Sequence, residues 1–238
     1  MRQLKYILML GFLALLALNS CKKETEGISE MVYYPELKGK NGVTVKVGSY
    51  VEAGVEADGR DVTSECKISP NLANETKPGA YTVTYEYETN GIEVTLTRDV
   101  YLQDPSDNIS GYYRYASYNR TGGFSDAYKA RFAVGYLLIE KDETAGSDVY
   151  YLEDVLLGHY IVGAGYDSRY ACPAYIKLNS DNSVTLEKLI KPIVPWGDDE
   201  STYTYEGGSY DADSKMFTLS TTYEAIHRTI KMELVLNE

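Results

Sequence analysis

The fold of this chain is decided by the stretch Tyr81-Thr-Val-Thr-Tyr-Glu-Tyr-Glu-Thr-Asn-Gly-Ile-Glu-Val-Thr-Leu-Thr97. Apolar and polar side chains alternate on both sides of Asn90-Gly91, which is the period of a strand with one buried face. Asn and Gly both tolerate the positive φ that a type I′ turn requires. The stretch therefore predicts two antiparallel strands joined by a tight turn at residues 90–91.

The same period of two extends over residues 32–103. Val43, Val45 and Val47 alternate with polar residues, and no part of this region keeps helical spacing for more than one turn. We therefore predict an N-terminal β-sandwich of about seven short strands over residues 32–103.

Four segments of this sandwich resemble the bacterial immunoglobulin-like repeats found in many surface proteins. They are Val43–Gly48, Tyr50–Val55, Asp61–Ser64 and Lys77–Tyr85. The last is the most distinctive, because Pro78-Gly79 makes a turn from which an alternating strand runs directly. The resemblance implies an immunoglobulin-like spacer or binding module without catalytic chemistry.

A polar, Pro-containing break at Asp104–Asn108 predicts a domain boundary. Residues 108–238 are enough for a second domain with its own core. Asp126–Phe132 is the one segment with helical character. The other apolar runs suit strands: 112–115, 133–139, 149–152, 158–162, 175–178, 184–190, 217–223 and 226–236. We therefore predict an all-β C-terminal domain, either an antiparallel barrel or a sandwich.

The ending of this second domain carries a further resemblance. Gly208-Ser-Tyr-Asp-Ala-Asp-Ser-Lys215 precedes a closing pair of strands. This arrangement looks like the lipocalin-like C-terminal domains that follow immunoglobulin-like modules in gut-bacterial lipoproteins. The resemblance implies a lipocalin-like β-barrel and assigns it no activity.

The N-terminus has the layout of an exported lipoprotein. Arg2 and Lys5 precede an apolar run over residues 6–18, which is too short to span a bilayer and is typical of a signal peptide. Leu18-Asn-Ser-Cys21 resembles a bacterial lipobox, whose cysteine is acylated, for example with palmitate. We predict a signal peptide over residues 1–20 and acylation of Cys21, the alternative being an ordinary signal peptide with an incidental cysteine.

The segment after the acylated cysteine is charged and polar, so residues 21–31 are predicted to be a tether. It also resembles the export signal of Bacteroidetes-type surface lipoproteins. We therefore expect a protein anchored in the outer membrane by its lipid and facing the cell exterior. A net charge of −12 makes nucleic acid a poor partner.

The sequence gives little support for a catalytic, metal or cofactor site. Cys66 and Cys172 are predicted to be free thiols, and no zinc spacing is present. No Gly-x-Ser-x-Gly motif occurs. His159 and His227 are predicted to be half-buried strand residues rather than catalytic bases. The acidic turns 198–200 and 211–213 are better explained as solvated turns than as calcium sites. We predict no enzyme, no catalytic residue, no metal and no cofactor.

The best indication of a ligand is aromatic. Trp196 lies in a Pro-rich connection, with Asp198 and Asp199 after it and Tyr203 and Tyr205 close behind. Aromatic rings offer a flat apolar face to a sugar, and carboxylates accept hydrogen bonds from its hydroxyls. The sequence leaves open whether the tryptophan is such a platform or plugs one end of the barrel.

These features predict a membrane-anchored surface lipoprotein. By resemblance to lipoproteins of carbohydrate-uptake systems, we expect non-catalytic binding of a polysaccharide or oligosaccharide. The alternative is an adhesion or pilus-associated lipoprotein that binds other surface proteins.

Overall fold

The hairpin predicted at Asn90-Gly91 is confirmed. Strands β6 (Gly79–Thr89) and β7 (Ile92–Gln103) pair antiparallel, with Thr89 opposite Ile92. Asn90 and Gly91 have φ values of 50° and 73°, as a type I′ turn requires. The structure is a computed structural model that describes residues 34–191, 203–223 and 227–238.

The N-terminal domain is a sandwich of two sheets. One sheet has the order β1-β3-β4 and the other β2-β7-β6-β5, in which β2 runs parallel to β7. The seven strands agree with the predicted immunoglobulin-like sandwich. Besides β6 and β7, they are β1 (Glu36–Leu37), β2 (Val43–Lys46), β3 (Val55–Ala57), β4 (Arg60–Asp61) and β5 (Lys67–Ser69).

The C-terminal domain is a closed antiparallel barrel, so the structure selects the barrel over the sandwich. Each strand pairs with the next along the chain, and β15 pairs with β8 to close the ring. Its elements are β8 (Gly111–Arg120), α1 (Asp126–Val134), β9 (Tyr136–Lys141), β10 (Val149–Leu152), β11 (Ala174–Leu178), β12 (Ser183–Leu189), β13 (Tyr203–Asp211), β14 (Met216–Tyr223) and β15 (Arg228–Leu236).

The two ends of the barrel differ in their connections. At one end the connections are short: residues 142–148, 179–182 and 212–215. At the other end lie α1 and the long connection 153–173. We call this second end the mouth. Long loops carried by a rigid barrel are a common setting for binding sites.

The helix predicted at Asp126–Phe132 is confirmed as α1. The hydroxyl of Ser125 caps it by accepting from the N–H of Tyr128. Phe132 is fully buried and packs on Tyr115 at the mouth, with ring centroids 4.8 Å apart. No helix among the described residues is long and apolar enough to cross a membrane.

The strand predicted over residues 158–162 is wrong. His159–Ala164 forms a π-helical turn bounded by Gly158 and Gly165, which have φ values of 75° and 73°. These left-handed conformations suit glycine and interrupt any strand. A Cβ atom at position 158 would also lie 1.9 Å from the hydroxyl of Tyr115, so the close approach requires glycine there.

Each domain has its own hydrophobic core. Polar contacts join the domains: Asn237 Nδ2 donates to the Gly42 carbonyl at 2.8 Å, and Tyr136 Oη donates to Asp99 Oδ2 at 2.7 Å. Cys66 and Cys172 are both free, as predicted. Burial raises the pKa of the Cys172 thiol to about 12. The thiol therefore stays protonated near pH 7 and contributes to packing rather than to reactivity.

Candidate functional site: the barrel mouth

Strand alternation brings a set of aromatic and basic side chains to the inner face of the mouth. In β15, Arg228 has the same parity as the buried Ile230. Tyr223 lies opposite both Arg228 and Tyr203 across the neighbouring strands, and directly opposed residues share a face. These side chains therefore face the inside of the barrel at the mouth.

Five tyrosines form a continuous group there, which we call the tyrosine cluster. The rings of Tyr203 and Tyr223 stack at 4.3 Å with an interplanar angle of 11°. Tyr160 joins them through a hydrogen bond between its hydroxyl and that of Tyr203 at 2.5 Å. Tyr166 stacks on Tyr160 at 6.1 Å and contacts Tyr170 at 5.0 Å.

The tyrosine cluster is neutral and partly open to solvent. Burial, followed by the hydrogen bond to Tyr160, raises the pKa of Tyr203 well above its ordinary value. The phenol therefore stays protonated in any physiological buffer. Tyr166 is 41% exposed, so part of its surface reaches solvent.

His159 lies behind the tyrosine cluster among aromatic rings. Its ring centroid is 4.7 Å from that of Tyr160 and 5.5 Å from that of Tyr128. Its buried Nδ1 has no hydrogen-bond partner in the part of the chain that the structure describes. Burial, and then the charges of Arg120 and Arg228, lower the pKa of His159 to about 4. The imidazole is therefore neutral near pH 7.

Two arginines complete the mouth, and we call them the arginine pair. Arg120 lies opposite Ile230 across the β8–β15 contact, and Arg228 begins β15 two residues earlier. The Arg120 guanidinium lies 4.7 Å from the ring centroid of Phe124, a cation–π contact. Burial and the like charge of Arg228 lower the pKa of Arg120.

A buried carboxylate shapes the loop that carries His159 and Tyr160. Asp154 accepts hydrogen bonds from the backbone N–H groups of Leu156, Gly158 and Cys172, each at 3.0 Å. Burial raises the pKa of Asp154 to about 7. Because its oxygens are engaged by the backbone, Asp154 positions the mouth and is not available to a ligand.

The structure brings together only some of the residues that the sequence singled out. Tyr203 belongs to the tyrosine cluster. Tyr205 points into the barrel, and its buried hydroxyl has no partner among the described residues. Trp196, Asp198 and Asp199 lie outside the described residues, so their part in a platform stays a prediction.

The structure places the two histidines and one acidic turn differently from the sequence-based expectations or in more detail. The predicted strand position of both histidines is wrong: His159 is in the π-helical turn, and His227 is an exposed turn residue with φ of 48° just before β15. Asp211 Oδ1 accepts from the N–H groups of Asp213 and Ser214, so this acidic turn uses its carboxylate on its own backbone.

Sequence reasoning did not single out Tyr160, Tyr166, Tyr223 or the arginine pair. The excess of tyrosine in the chain was the available signal. It could not show which of the tyrosines meet, because their contacts join separate loops and strands.

A second concave surface lies between the two domains. This groove has a volume of about 540 Å³, and Lys40, Asn41, Arg114 and Asn237 are among its lining residues. Asn237 Nδ2 also donates to the carbonyl of Asn41 at 3.1 Å, and Lys40 Nζ donates to the Glu238 carbonyl. Lys40, Asn41 and Asn237 thus hold the domains together, so the mouth is the better candidate site.

Comparisons with known proteins agree with this architecture. The family model of the BT2262-like C-terminal domain matches residues 102–236, and the model of the bacterial surface protein Ig-like domain matches residues 35–102. The crystal structure of the lipoprotein BT2262 from Bacteroides thetaiotaomicron is 25% identical, with a TM-score of 0.56. The match covers 85% of this chain and 98% of that chain. No curated protein matches the sequence.

The predicted resemblances are thereby confirmed for both domains. An immunoglobulin-like sandwich precedes a closed eight-stranded barrel, which is the order in which the two family models match the chain. The chain therefore belongs to the family of BT2262-like surface lipoproteins.

Proposed function

We propose that this surface lipoprotein binds glycans at the mouth of its barrel without altering them chemically. The observation that carries the proposal is the tyrosine cluster, in which stacked and partly exposed rings lie beside the hydrogen bond between the Tyr160 and Tyr203 hydroxyls at one end of the barrel.

The chemistry of a sugar ring suits such a surface. The C–H groups on one face of the ring need flat apolar area, and the ring hydroxyls need directional donors and acceptors. Tyr166 is partly exposed to solvent, and the hydrogen bond between Tyr160 and Tyr203 holds two phenol hydroxyls in place. An exposed stacking contact adds ~0.5–1.5 kcal/mol beyond its buried area, so we expect a shallow site of modest affinity.

The polar groups beside the cluster support binding rather than catalysis. A general base needs a suitable pKa and a proton within reach. The pKa of His159 is about 4, and its ring lies among aromatic side chains. Asp154 uses its oxygens on three backbone N–H groups.

We place the protein on the outer membrane, held by acylated Cys21 after removal of residues 1–20 and facing outward through the tether 21–31. The lipobox supports the anchor, and the similar BT2262 is itself named a lipoprotein. The alternative role in adhesion, with other surface proteins as partners, stays a prediction.

The test is a glycan array probed with the full-length protein in detergent, followed by calorimetric titration of the glycans that it retains. Tyr166→Ala should weaken binding tenfold or more, which corresponds to ~1.4 kcal/mol, and should lower the thermal midpoint only slightly, through the loss of its ring contacts with Tyr160 and Tyr170. Tyr34→Ala is the matched control, because Tyr34 is also exposed, at 66%, and lies outside the barrel. The proposal would be refuted if the protein retained no glycan on the array, or if Tyr166→Ala bound glycans with the same affinity as the wild type.

A further inference from the structure

We propose that the glycan bound at the mouth is acidic, and that the arginine pair, Arg120 and Arg228, binds its carboxylate or sulfate group. This inference rests on the proposed function and adds the chemical class of the ligand.

The first support is the direction of the two side chains. Arg228 shares the inner face of β15 with Ile230, Met232 and Leu234, which are buried. Arg120 lies opposite Ile230 on the neighbouring strand, so the two arginines are diagonal neighbours within reach of each other. Both are half-buried. The fold therefore holds two positive charges together at the entrance of the barrel.

The second support is that these charges are not balanced within the described residues. Among the other described arginines, Arg60 pairs with Glu65, Arg98 with Glu52 and Arg169 with Asp167, whereas Arg114 and Arg131 form no ion pair with a described residue. No described carboxylate forms an ion pair with Arg120 or Arg228. Like charges in a partly buried site repel each other, and a bound anion would remove that repulsion.

The hydrogen-bonding capacity of the arginine pair is also largely unused. Arg120 Nε donates to the carbonyl of Gly123 at 2.8 Å. The Arg228 guanidinium donates no hydrogen bond to the part of the chain that is described. A guanidinium presents its donors in a planar fork that fits a carboxylate or a sulfate through two bonds.

An anion bound by Arg228 would lie next to the tyrosine cluster. Arg228 lies directly opposite Tyr223, whose ring stacks on Tyr203. Its positive charge acts on Tyr203, where it partly offsets the rise in the pKa of that phenol. An acidic group bound to Arg228 would therefore place its own sugar ring beside the tyrosine cluster.

The surroundings of the mouth favour an acidic sugar over a fatty acid. An acyl chain needs a deep apolar cavity, and the barrel below the mouth is filled by fully buried side chains such as Leu137, Phe217 and Leu219. The mouth itself is lined by phenols, which suit a sugar ring with polar edges.

Matched pairs of polysaccharides test the inference. The full-length protein in detergent is titrated with polygalacturonate and its methyl ester, and with dextran sulfate and dextran, after the array has identified neutral and acidic glycans. The wild type should bind at least one acidic member tenfold or more tightly than its neutral counterpart, and added salt should reduce the difference.

Variants assign the preference to the arginine pair. Arg228→Gln and Arg120→Gln should lose the preference for the acidic member and keep their affinity for the neutral one. Arg114→Gln is the charge-matched control, since Arg114 is exposed on the outer face of β8. Arg228→Lys keeps the charge and loses the fork, so it should retain the fold and an intermediate preference.

The outcomes separate the two proposals. Tight binding of neutral glycans without preference for acidic ones would overturn this inference and leave the proposed function standing. The inference would also fall if Arg228→Gln, Arg120→Gln and Arg228→Lys all kept the full preference. Absence of binding to every glycan tested would overturn both.

Discussion

The hydroxyl of Thr44 in the immunoglobulin-like domain exchanges two hydrogen bonds with the backbone of Tyr112 in the barrel. The Tyr112 N–H donates to Thr44 Oγ1 at 2.8 Å, and Oγ1 donates to the Tyr112 carbonyl at 3.3 Å. Thr44 is 2% exposed, and its own N–H donates to the carbonyl of Asn237 at 2.7 Å. One buried threonine of β2 thus pairs with groups of the first barrel strand and of the residue that follows the last one, and it couples the two domains.

Replacement of Thr44 tests this coupling. Thr44→Val keeps the shape of the side chain and leaves the buried Tyr112 N–H without an acceptor, so the free energy of unfolding should fall by ~1–3 kcal/mol. Urea denaturation measures the change. Thr44→Ser keeps the hydroxyl and should cost less; if Thr44→Val were as stable as the wild type, the contact would not couple the domains.

A steric prediction concerns Gly42, which lies at the same junction. Its φ is 61°, and a Cβ atom there would lie 2.3 Å from the ring of Tyr136. Gly48→Ala is a matched control, because Gly48 has φ of 77° and open space around its Cβ direction. The control should lose ~1–2 kcal/mol through backbone strain alone. Gly42→Ala should lose clearly more in the same urea experiment, and equal losses would show that Tyr136 moves aside freely.

A pH prediction concerns His159. Its pKa falls to about 4 in the folded protein, below the ordinary value of 6.5, so the unfolded chain binds the proton first as pH falls. The stability contributed by neutral His159 is complete above pH 6.5 and decreases between pH 6.5 and pH 4. His159→Phe keeps an aromatic ring and removes this dependence, which amounts to roughly 3 kcal/mol at ~1.4 kcal/mol per pKa unit.

The measurement for His159 is the difference in unfolding free energy between His159→Phe and the wild type at pH 7, 5.5 and 4. The difference should shift in favour of the variant as pH falls. Asp154 acts oppositely, because its raised pKa of about 7 adds stability as pH falls, and it is present in both proteins and cancels. A difference that does not change with pH would contradict the buried, neutral state of His159.

The anchor prediction concerns Cys21. Cys21→Ala should abolish acylation and leave unprocessed or soluble protein, because several acyl chains on one cysteine are what makes a stable anchor. Detergent phase partitioning measures this. Cys66→Ala should partition as the wild type does, since Cys66 is a thiol of the folded domain. If Cys21→Ala still entered the detergent phase after signal removal, the lipobox interpretation would fail.

Local sequence determined the parts of this fold that depend on neighbouring residues. Asn90 and Gly91 supply the positive φ of a type I′ turn, and the alternating runs beside them leave little choice of register. Ser125 likewise caps a short helix that begins where the sequence predicts and extends two residues beyond the predicted end, to Val134. In these cases the interacting residues are close in the chain, so their pattern is visible in the sequence.

Tertiary structure decided the mouth of the barrel. The closing pair Arg120 and Ile230 joins distant parts of the chain, and no local pattern specifies it. Alternation from Tyr113 predicts that Arg120 points outward, yet an irregularity in β8 after Tyr115 reverses the parity and turns Arg120 inward.

The sequence by itself determined two β-domains in their correct order, the hairpin and the helix, whereas the lipobox at Cys21 lies outside the described residues and stays a prediction. Only the tertiary structure decided that the C-terminal strands close into a barrel, that residues 159–164 leave the strand pattern, and that Tyr203 meets Tyr160. The physical reason is that Asp154, Gly158 and the β8–β15 closure act across long sequence separations, where side-chain period carries no information about which groups meet.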